Sequence, residues 1–155
     1  MGIVPKFTLK DVRSYMEQYA SRVEEVVIRN LQRLGEQTII KVRDRSGEES
    51  WYDQTGNLRS SIGYVVGRDG EVISEGGFSQ VLNGSEGSSE GKRFAEELAA
   101  QLTGKYFLII VAGMNYASYV EEMENKDVLA SSSLFAEKEL PKMVKRIENM
   151  LKNLK

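Results

Sequence analysis

The densest group of side chains that could do chemistry is acidic. Four carboxylates lie close together in one segment: Glu121, Glu122, Glu124 and Asp127. Carboxylate oxygens are the ligands that Ca²⁺ and Mg²⁺ prefer, so this group could hold a hard cation. Calcium loops, however, place their ligands at alternate positions around a tight glycine turn, and no glycine lies in this segment. A solvated acidic face is the simpler interpretation, and we expect no metal here.

A second candidate is the glycine-rich tract at 83–92, which runs into Arg93. A phosphate-binding loop needs Gly-x-x-x-x-Gly-Lys-Ser/Thr directly after a strand. Arg93 stands where that motif requires a hydroxyl, and the glutamates before it would repel phosphate. The tract instead predicts a flexible loop at 83–92, followed by a short amphipathic helix from Arg93 to Leu102.

Histidine and cysteine are both absent from the 155 residues. The chain therefore lacks the commonest metal ligand and general base, and it also lacks thiolate nucleophiles and disulfides. A carboxylate pair could still hydrolyse a glycoside, but no pattern marks a substrate cleft or a carboxylic acid held protonated. We expect no catalytic residue and no cofactor.

The overall composition restricts the classes of partner that we expect. Hydrophobic residues make up 41% and charged residues 28%, as in ordinary globular proteins, and the net charge of -2 gives no general attraction to nucleic acid. No apolar run reaches the roughly 18 residues of a membrane span, and no signal peptide is recognisable. We expect one domain over residues 1–155, made in the cytoplasm, without membrane contact or specific nucleic-acid binding.

A long helix should occupy the N-terminal third. Thr8 and Asp11 have the spacing of a capping box, and apolar residues then recur at steps of three and four. They are Leu9, Val12, Met16, Tyr19, Val23 and Val26, followed with a sideways shift by Val27, Leu31 and Leu34. That shift favours packing on a globular body over a long coiled coil. A helix of about thirty residues would span roughly 45 Å, so part of it could pack on a neighbouring subunit.

The middle of the chain is organised around the segment Asp53-Gln54-Thr55-Gly56-Asn57-Leu58-Arg59-Ser60-Ser61-Ile62. Thr55 is a good helix N-cap, and Gly63 suits a C-terminal stop. One or two helical turns are therefore predicted. A β-hairpin around Arg68-Asp69-Gly70 should follow, because Asp-Gly is a strong hairpin signal.

Two further elements complete the predicted fold. Tyr106 to Val111 is the most hydrophobic run and predicts a strand inside the sheet, buried on both faces. Ser131 to Lys155 predicts a C-terminal helix in which Pro141 either kinks the helix or begins a second one. The fold class is thus α+β, with a long N-terminal helix and a C-terminal helix packed on a small, mainly antiparallel β-sheet.

Two motifs together resemble the small tail-completion, or head–tail joining, proteins of long-tailed bacteriophages. The first is the T-G-N-L-R turn of residues 55–59, and the second is V-A-G-M-N-Y-A-S-Y-V-E at residues 111–121. Members of that family share a long N-terminal helix, a T-G-x-L-R-x-S-I turn, a β-hairpin, a strand leading into a Y-A-x-Y-V-E helix, and a C-terminal helix. The order of elements predicted here matches over nearly the whole chain.

The resemblance implies a phage or prophage structural protein that is made in the bacterial host cytoplasm and ends in the virion. It would act at the head–tail junction or the tail terminus. It would assemble as a homo-oligomeric ring, for which the resemblance suggests six subunits. It would also contact other phage neck or tail proteins. The residues leave open an alternative, a bacterial cytoplasmic ligand-binding domain or carboxylate-dependent enzyme.

The resemblance also marks motif residues as interaction candidates, namely Thr55, Gly56, Leu58, Arg59, Tyr116, Tyr119 and Glu121. We expect Arg59 to pair with an acidic group, for which Glu121 is the candidate; the alternative is a solvated Arg59. Charge adds a second hypothesis, because 116–127 is net acidic and 131–155 is net basic. A head-to-tail contact of these segments between subunits would be complementary, although they could also neutralise each other within one subunit. The basic candidates are Lys142, Lys145 and Arg146.

Overall fold

The computed structural model describes residues 6–43, 55–114 and 129–153. The elements in chain order are α1 (Leu9–Arg43), α2 (Asn57–Ser60), β1 (Ile62–Arg68), β2 (Glu71–Gly77), α3 (Ser85–Ala99), β3 (Tyr106–Ala112) and α4 (Ala130–Lys152). The three strands form one antiparallel sheet. The predicted α+β fold is confirmed, with long N-terminal and C-terminal helices on a small sheet.

Helix α1 begins with the predicted capping box. The backbone N–H of Thr8 donates to Asp11 Oδ2 at 2.7 Å, and the N–H of Asp11 donates to Thr8 Oγ1 at 3.2 Å. The first of these bonds lowers the pKa of Asp11. The helix then continues through Gly35, where a Cβ would lie only 2.7 Å from the ring of Tyr64. Gly35 therefore allows the helix to approach the sheet closely, which offsets its poor helix propensity.

The sheet has the order β2-β1-β3, with the hairpin where the sequence predicted it. Asp69 and Gly70 both have positive φ, 56° and 85°, as a two-residue turn between twisted strands requires. The expectation that the hydrophobic run at β3 lies inside the sheet is wrong, because among the described residues β3 pairs with β1 alone. Helices cover β3 on both faces, so its apolar sequence reflects burial of its faces and not a central position.

Two clusters of buried side chains lie on opposite faces of the sheet. The cluster between the sheet and the α1/α4 layer contains Ile28, Leu31, Leu34, Ile39, Val42, Leu58, Ile62, Tyr64, Val66 and Met143. The cluster under α3 contains Val65, Phe78, Ala95, Ala99, Phe107 and Val111. Alternate residues of β1 therefore point into different clusters, and the fold has three layers.

The predicted flexible loop at 83–92 is wrong, because Ser85 to Ala99 form one helix, α3. Its glycines are packing positions. A Cβ on Gly87 would lie 1.9 Å from the carbonyl oxygen of Asn57, and one on Gly91 would lie 2.3 Å from that of Ser61. Only glycine permits α3 to lie this close to the backbone beneath it, which is why a tract typical of a loop is helical here.

Helix α4 is continuous from Ala130 to Lys152 and contains Pro141, so the expected alternative of two separate helices is wrong. Pro141 is exposed, where water can hydrate the carbonyl that loses its partner. The helix runs antiparallel to α1. The ammonium of Lys41 lies 4.5 Å from the ring centroid of Phe135, and Asn30 Nδ2 lies 3.8 Å from the sulfur of Met150. The C-terminal end of α4 thus covers α1 near Asn30.

Candidate interaction surface

The T-G-N-L-R turn is built around a glycine conformation. Gly56 has φ +80°, and a Cβ there would lie 2.0 Å from the carbonyl oxygen of Val81. Gly56, and not Thr55 as predicted, occupies the N-cap position of α2, while Thr55 Oγ1 accepts the N–H of Asn57 at 3.2 Å. The predicted stop at Gly63 is also wrong, because Gly63 lies in β1. The turn is shorter and tighter than its sequence indicated.

The turn joins three parts of the chain through hydrogen bonds. Ser60 Oγ accepts the N–H of Val81 at 2.8 Å, and Asn57 Oδ1 accepts the N–H of Gly87 at 3.1 Å. Arg59 Nη1 donates to the carbonyl of Arg43, the last residue of α1, at 3.2 Å. The motif is therefore a structural junction that fixes the end of α1, the connection after β2, and the start of α3 relative to one another.

The structure separates the predicted turn residues by exposure. Gly56 and Leu58 are buried inside the subunit, and Leu58 is only 1% exposed. Arg59 is half-buried and Thr55 is exposed. Of the four, Thr55 and Arg59 retain surface that a partner could contact, whereas Gly56 and Leu58 act through the fold.

Arg59 and Arg43 border a cavity of about 530 Å³. Both guanidiniums bond to backbone carbonyls, since Arg43 Nη2 donates to Ser79 O at 2.8 Å. Glu36 also lines the cavity and accepts the phenolic O–H of Tyr64 at 3.3 Å. Burial, with a further contribution from the charge of Glu36, raises the pKa of Tyr64 to about 12. The predicted Arg59 partner, Glu121, lies outside the described residues, so that pairing stays a prediction.

The basic residues predicted on α4 share one stretch of helix. Lys142 and Lys145 are exposed and Arg146 is half-buried. Lys142 Nζ lies 2.6 Å from Glu139 of the same helix. Beside them, Val144 is 45% exposed and borders a shallow depression of about 440 Å³. The exposed face of α4 thus combines positive charge with apolar surface.

The N-terminal part of α1 is the surface that sequence reasoning located least well. Residues 9–22, which we call the projecting segment, are all exposed, and Leu9 and Met16 are 88% and 60% exposed. From Ile28 onward the same helix is buried in the core. The sequence signal for this surface was the length of the apolar stripe, which extends beyond the part of α1 that packs on the rest of the subunit.

A second cavity, of about 520 Å³, lies between α1, β3 and α4. Its walls are mainly apolar, including Leu34, Leu108 and Leu140, with the hydroxyls of Thr38 and Ser132 among the few polar groups. Three distant segments form it, so no local pattern in the sequence could have indicated it.

Metal binding gains no candidate from the part of the chain that the structure describes. Within residues 6–43, 55–114 and 129–153, no group of three carboxylates is placed to hold a metal ion. The acidic group at 121–127, together with the motif residues Tyr116, Tyr119 and Glu121, lies outside those ranges. No helix in the described part is long and apolar enough to cross a membrane.

Comparison with known proteins identifies no relative. No protein-family model matches the chain, and no curated protein or solved structure matches it significantly.

Proposed function

We propose that the chain is a phage or prophage virion structural protein that acts at the head–tail junction or tail terminus and assembles there into a ring. The observation that carries the proposal is the projecting segment. A helix that extends beyond its own domain with large apolar side chains exposed needs a partner surface, since such patches mark interaction sites. This extension is what a subunit that functions only when assembled would present.

The order of elements supports the same proposal. The long helix, the T-G-N-L-R turn, the hairpin, the hydrophobic strand and the C-terminal helix follow one another as in the phage proteins that the sequence resembles. The turn gives this order a mechanical role, because its hydrogen bonds hold the end of α1 against the sheet and α3. The direction in which α1 projects is thereby set by the body, and neighbouring subunits would meet at a defined angle.

Assembly would proceed by surface packing without chemistry. The α4 face offers Lys142 and Lys145 beside exposed Val144 and Leu140, which suits a partner with acidic and apolar groups. Exposed ion pairs contribute only about 0.2–1 kcal/mol each, so charge would set register while apolar burial holds the ring. Head-to-tail contacts of this kind close into rings when the rotation between neighbours permits it.

Two measurements test the proposal. Native mass spectrometry and electron microscopy of concentrated protein should show a closed cyclic oligomer. In the phage or prophage that encodes the chain, disrupting its gene should leave filled heads and tails that do not join. Infectious particles of normal morphology without the protein would overturn the proposal.

The cavity between α1, β3 and α4 favours one other candidate function, a ligand-binding domain. Its volume and mainly apolar lining are those of sites for small molecules. Small apolar compounds should then raise the melting temperature, and Ala136→Phe, which fills the cavity, should abolish that rise. Equal responses of the two proteins would rule this function out.

A further inference from the structure

Asn83 and Gly84 form a pair whose own atoms can react with each other. They lie in residues 78–84, which join β2 to α3 and which we call the connection. The side-chain amide of an asparagine can be attacked at its Cγ by the backbone nitrogen of the next residue, and glycine hinders the attack least because it has no side chain. The chain has seven asparagines, and Asn83 alone precedes a glycine. This pair is therefore where the reaction should be fastest.

The reaction consumes only water. The nitrogen of Gly84 forms a bond to Cγ of Asn83, the bond from Cγ to the amide nitrogen breaks, and that nitrogen leaves as ammonia with the proton that Gly84 gives up. Water then opens the resulting succinimide ring at one of its carbonyls. One opening gives aspartate, and the other gives isoaspartate, whose main chain runs through Cβ and Cγ and is longer by an atom. Asn83 is exposed, so water reaches the ring.

In the folded protein, hydrogen bonds hold the backbone of this pair in place. The N–H of Asn83 donates at 3.2 Å to the carbonyl of Thr55, which belongs to the T-G-N-L-R turn. The N–H of Gly84 donates to the carbonyl of Val81 at 3.0 Å. The attacking nitrogen must lose this proton to react, and the hydrogen bond to Val81 retains it. The closed connection therefore disfavours the first step.

The backbone geometry of the connection also opposes ring closure. The bond from Gly84 to Val81 closes a β-turn with Asn83 at its third position, where ψ is about 0° and the following nitrogen points away from Cβ. Gly84 cannot turn in place, because a Cβ on it would lie 2.2 Å from Ser60 Oγ and 2.4 Å from the carbonyl oxygen of Gly56. The connection must therefore leave the turn before the ring can close.

The connection is strained at the residue before the reactive pair. Leu82 has φ 51°, a left-handed conformation that residues with a side chain rarely adopt. Its side chain is 70% exposed, so burial compensates little for the strain. Opening of the connection would relax Leu82 while the sheet stays folded. Local opening is therefore less costly here than global unfolding.

We propose that Asn83 is a site of spontaneous deamidation that reacts when the connection opens, and that isoaspartate formed there stops the connection from closing again. With a longer main chain, the hydrogen bond to Thr55 and the close contact of Gly84 with Ser60 cannot both be kept. Aspartate keeps the original main chain and allows closure. A molecule that forms isoaspartate thus carries a permanent chemical record of an opening. The inference does not depend on the proposed function.

Peptide mapping by mass spectrometry tests whether opening controls the reaction. After incubation of the full chain at mildly alkaline pH, deamidation of Asn83 should be at least about tenfold slower in the folded protein than in guanidinium, since only the open fraction reacts. Ser60→Ala removes the acceptor of the Val81 N–H and should accelerate the reaction in the folded protein. Ser89→Ala, at an exposed position of α3, should leave the rate unchanged.

Circular dichroism should show that these variants are folded. If Ser60→Ala is unfolded, Ser88→Ala takes its place, because it removes the hydrogen bond from Ser88 Oγ to the carbonyl of Phe78 at the start of the connection. Equal rates in the folded and the unfolded wild type would overturn the proposal. A folded variant of Ser60 or Ser88 that reacts no faster than the wild type would overturn it as well.

Proteolysis under native conditions tests the fate of the product. Wild-type protein that is deamidated in guanidinium and then refolded contains aspartate and isoaspartate at position 83, which peptide mapping distinguishes. Brief digestion should remove the isoaspartate-containing chains first, because their connection no longer closes on the turn. Asn83→Asp, with its normal main chain, should resist digestion like the wild type. Equal survival of the two products would refute the proposed block to closure.

Discussion

Gly87 of α3 lies directly against Asn57 of the turn before β1, so that a Cβ on Gly87 would stand 1.9 Å from the Asn57 carbonyl oxygen. The N–H of Gly87 also donates to the Asn57 side chain at 3.1 Å. One residue therefore makes both the closest packing contact and a hydrogen bond between the two elements. The distance between α3 and the turn is set at this point, and no side chain can be added without moving one of them.

Replacing Gly87 by alanine should destabilise the protein, although alanine is the better helix former. Helix propensity alone would favour Gly87→Ala by up to about 1 kcal/mol, whereas overpacking against a backbone carbonyl costs about 1–3 kcal/mol or more. The cost of the clash should exceed the gain in helix propensity, so urea unfolding should show a lower free energy of unfolding for Gly87→Ala than for the wild type. Ser89→Ala, at an exposed position of the same helix, should be neutral or slightly stabilising. A stabilised Gly87→Ala protein would mean that α3 does not pack here.

Gly56→Ala should also destabilise, for two separable reasons. Alanine at φ +80° is strained by about 1–3 kcal/mol, and its Cβ would in addition collide with Val81 O at 2.0 Å. Gly104 is a natural control, because it has φ +71° but no atom within 4 Å of the Cβ position. Thermal unfolding should show a larger loss for Gly56→Ala than for Gly104→Ala. Equal losses of stability in the two variants would show that conformational strain alone destabilises Gly56→Ala, and would exclude the clash.

The raised pKa of Tyr64 predicts a loss of stability at alkaline pH. An unfolded tyrosine loses its proton near pH 10, whereas burial and Glu36 keep Tyr64 protonated in the folded protein up to about pH 12. Between these values the unfolded state binds fewer protons, so the free energy of unfolding falls as pH rises. Urea unfolding at several pH values above about 9.5 should show a shallower fall for Tyr64→Phe than for the wild type. Identical slopes would contradict the shift.

Reversing the charges on α4 should prevent ring assembly. The triple variant Lys142→Glu/Lys145→Glu/Arg146→Glu should form no closed ring in native mass spectra while its circular dichroism and melting transition remain unchanged. Raising salt should slow wild-type assembly more than it weakens the finished oligomer, since exposed charges are screened. Arg146 is half-buried, so its reversal could unfold the protein, and the double variant Lys142→Glu/Lys145→Glu tests the contact without that change. Lys105→Glu, at an exposed position outside α4, controls for the change in net charge. Normal assembly of the folded triple variant would eliminate this contact.

The parts of the fold that followed from the sequence are those governed by local rules. The capping box of Thr8 and Asp11, the hairpin at Asp69-Gly70 and the apolar period of α1 each depend on residues close together in the chain. Their physical causes, hydrogen bonds to free helix N–H groups and a turn with positive φ, act within a few residues. The α+β class followed from assembling these elements.

The errors arose where a distant contact decides the local structure. Gly87 and Gly91 are poor helix residues alone and become good ones only opposite the backbone of Asn57 and Ser61. The place of β3 in the sheet likewise depends on what pairs with it, and its composition records only that its faces are covered. The candidate site shows the same division. The sequence revealed the motif, whereas the burial of Gly56 and Leu58 became known only from the structure.

The glycine contacts of α3 have a consequence for the order of folding. Residues 85–91 have little intrinsic tendency to form a helix, and their stabilisation comes from the backbone of α2 and of Ser61, its C-cap. The first half of α3 can therefore become ordered only after the turn has formed, or together with it. Along a folding pathway, this stretch should acquire its structure late, as part of one cooperative unit with the turn.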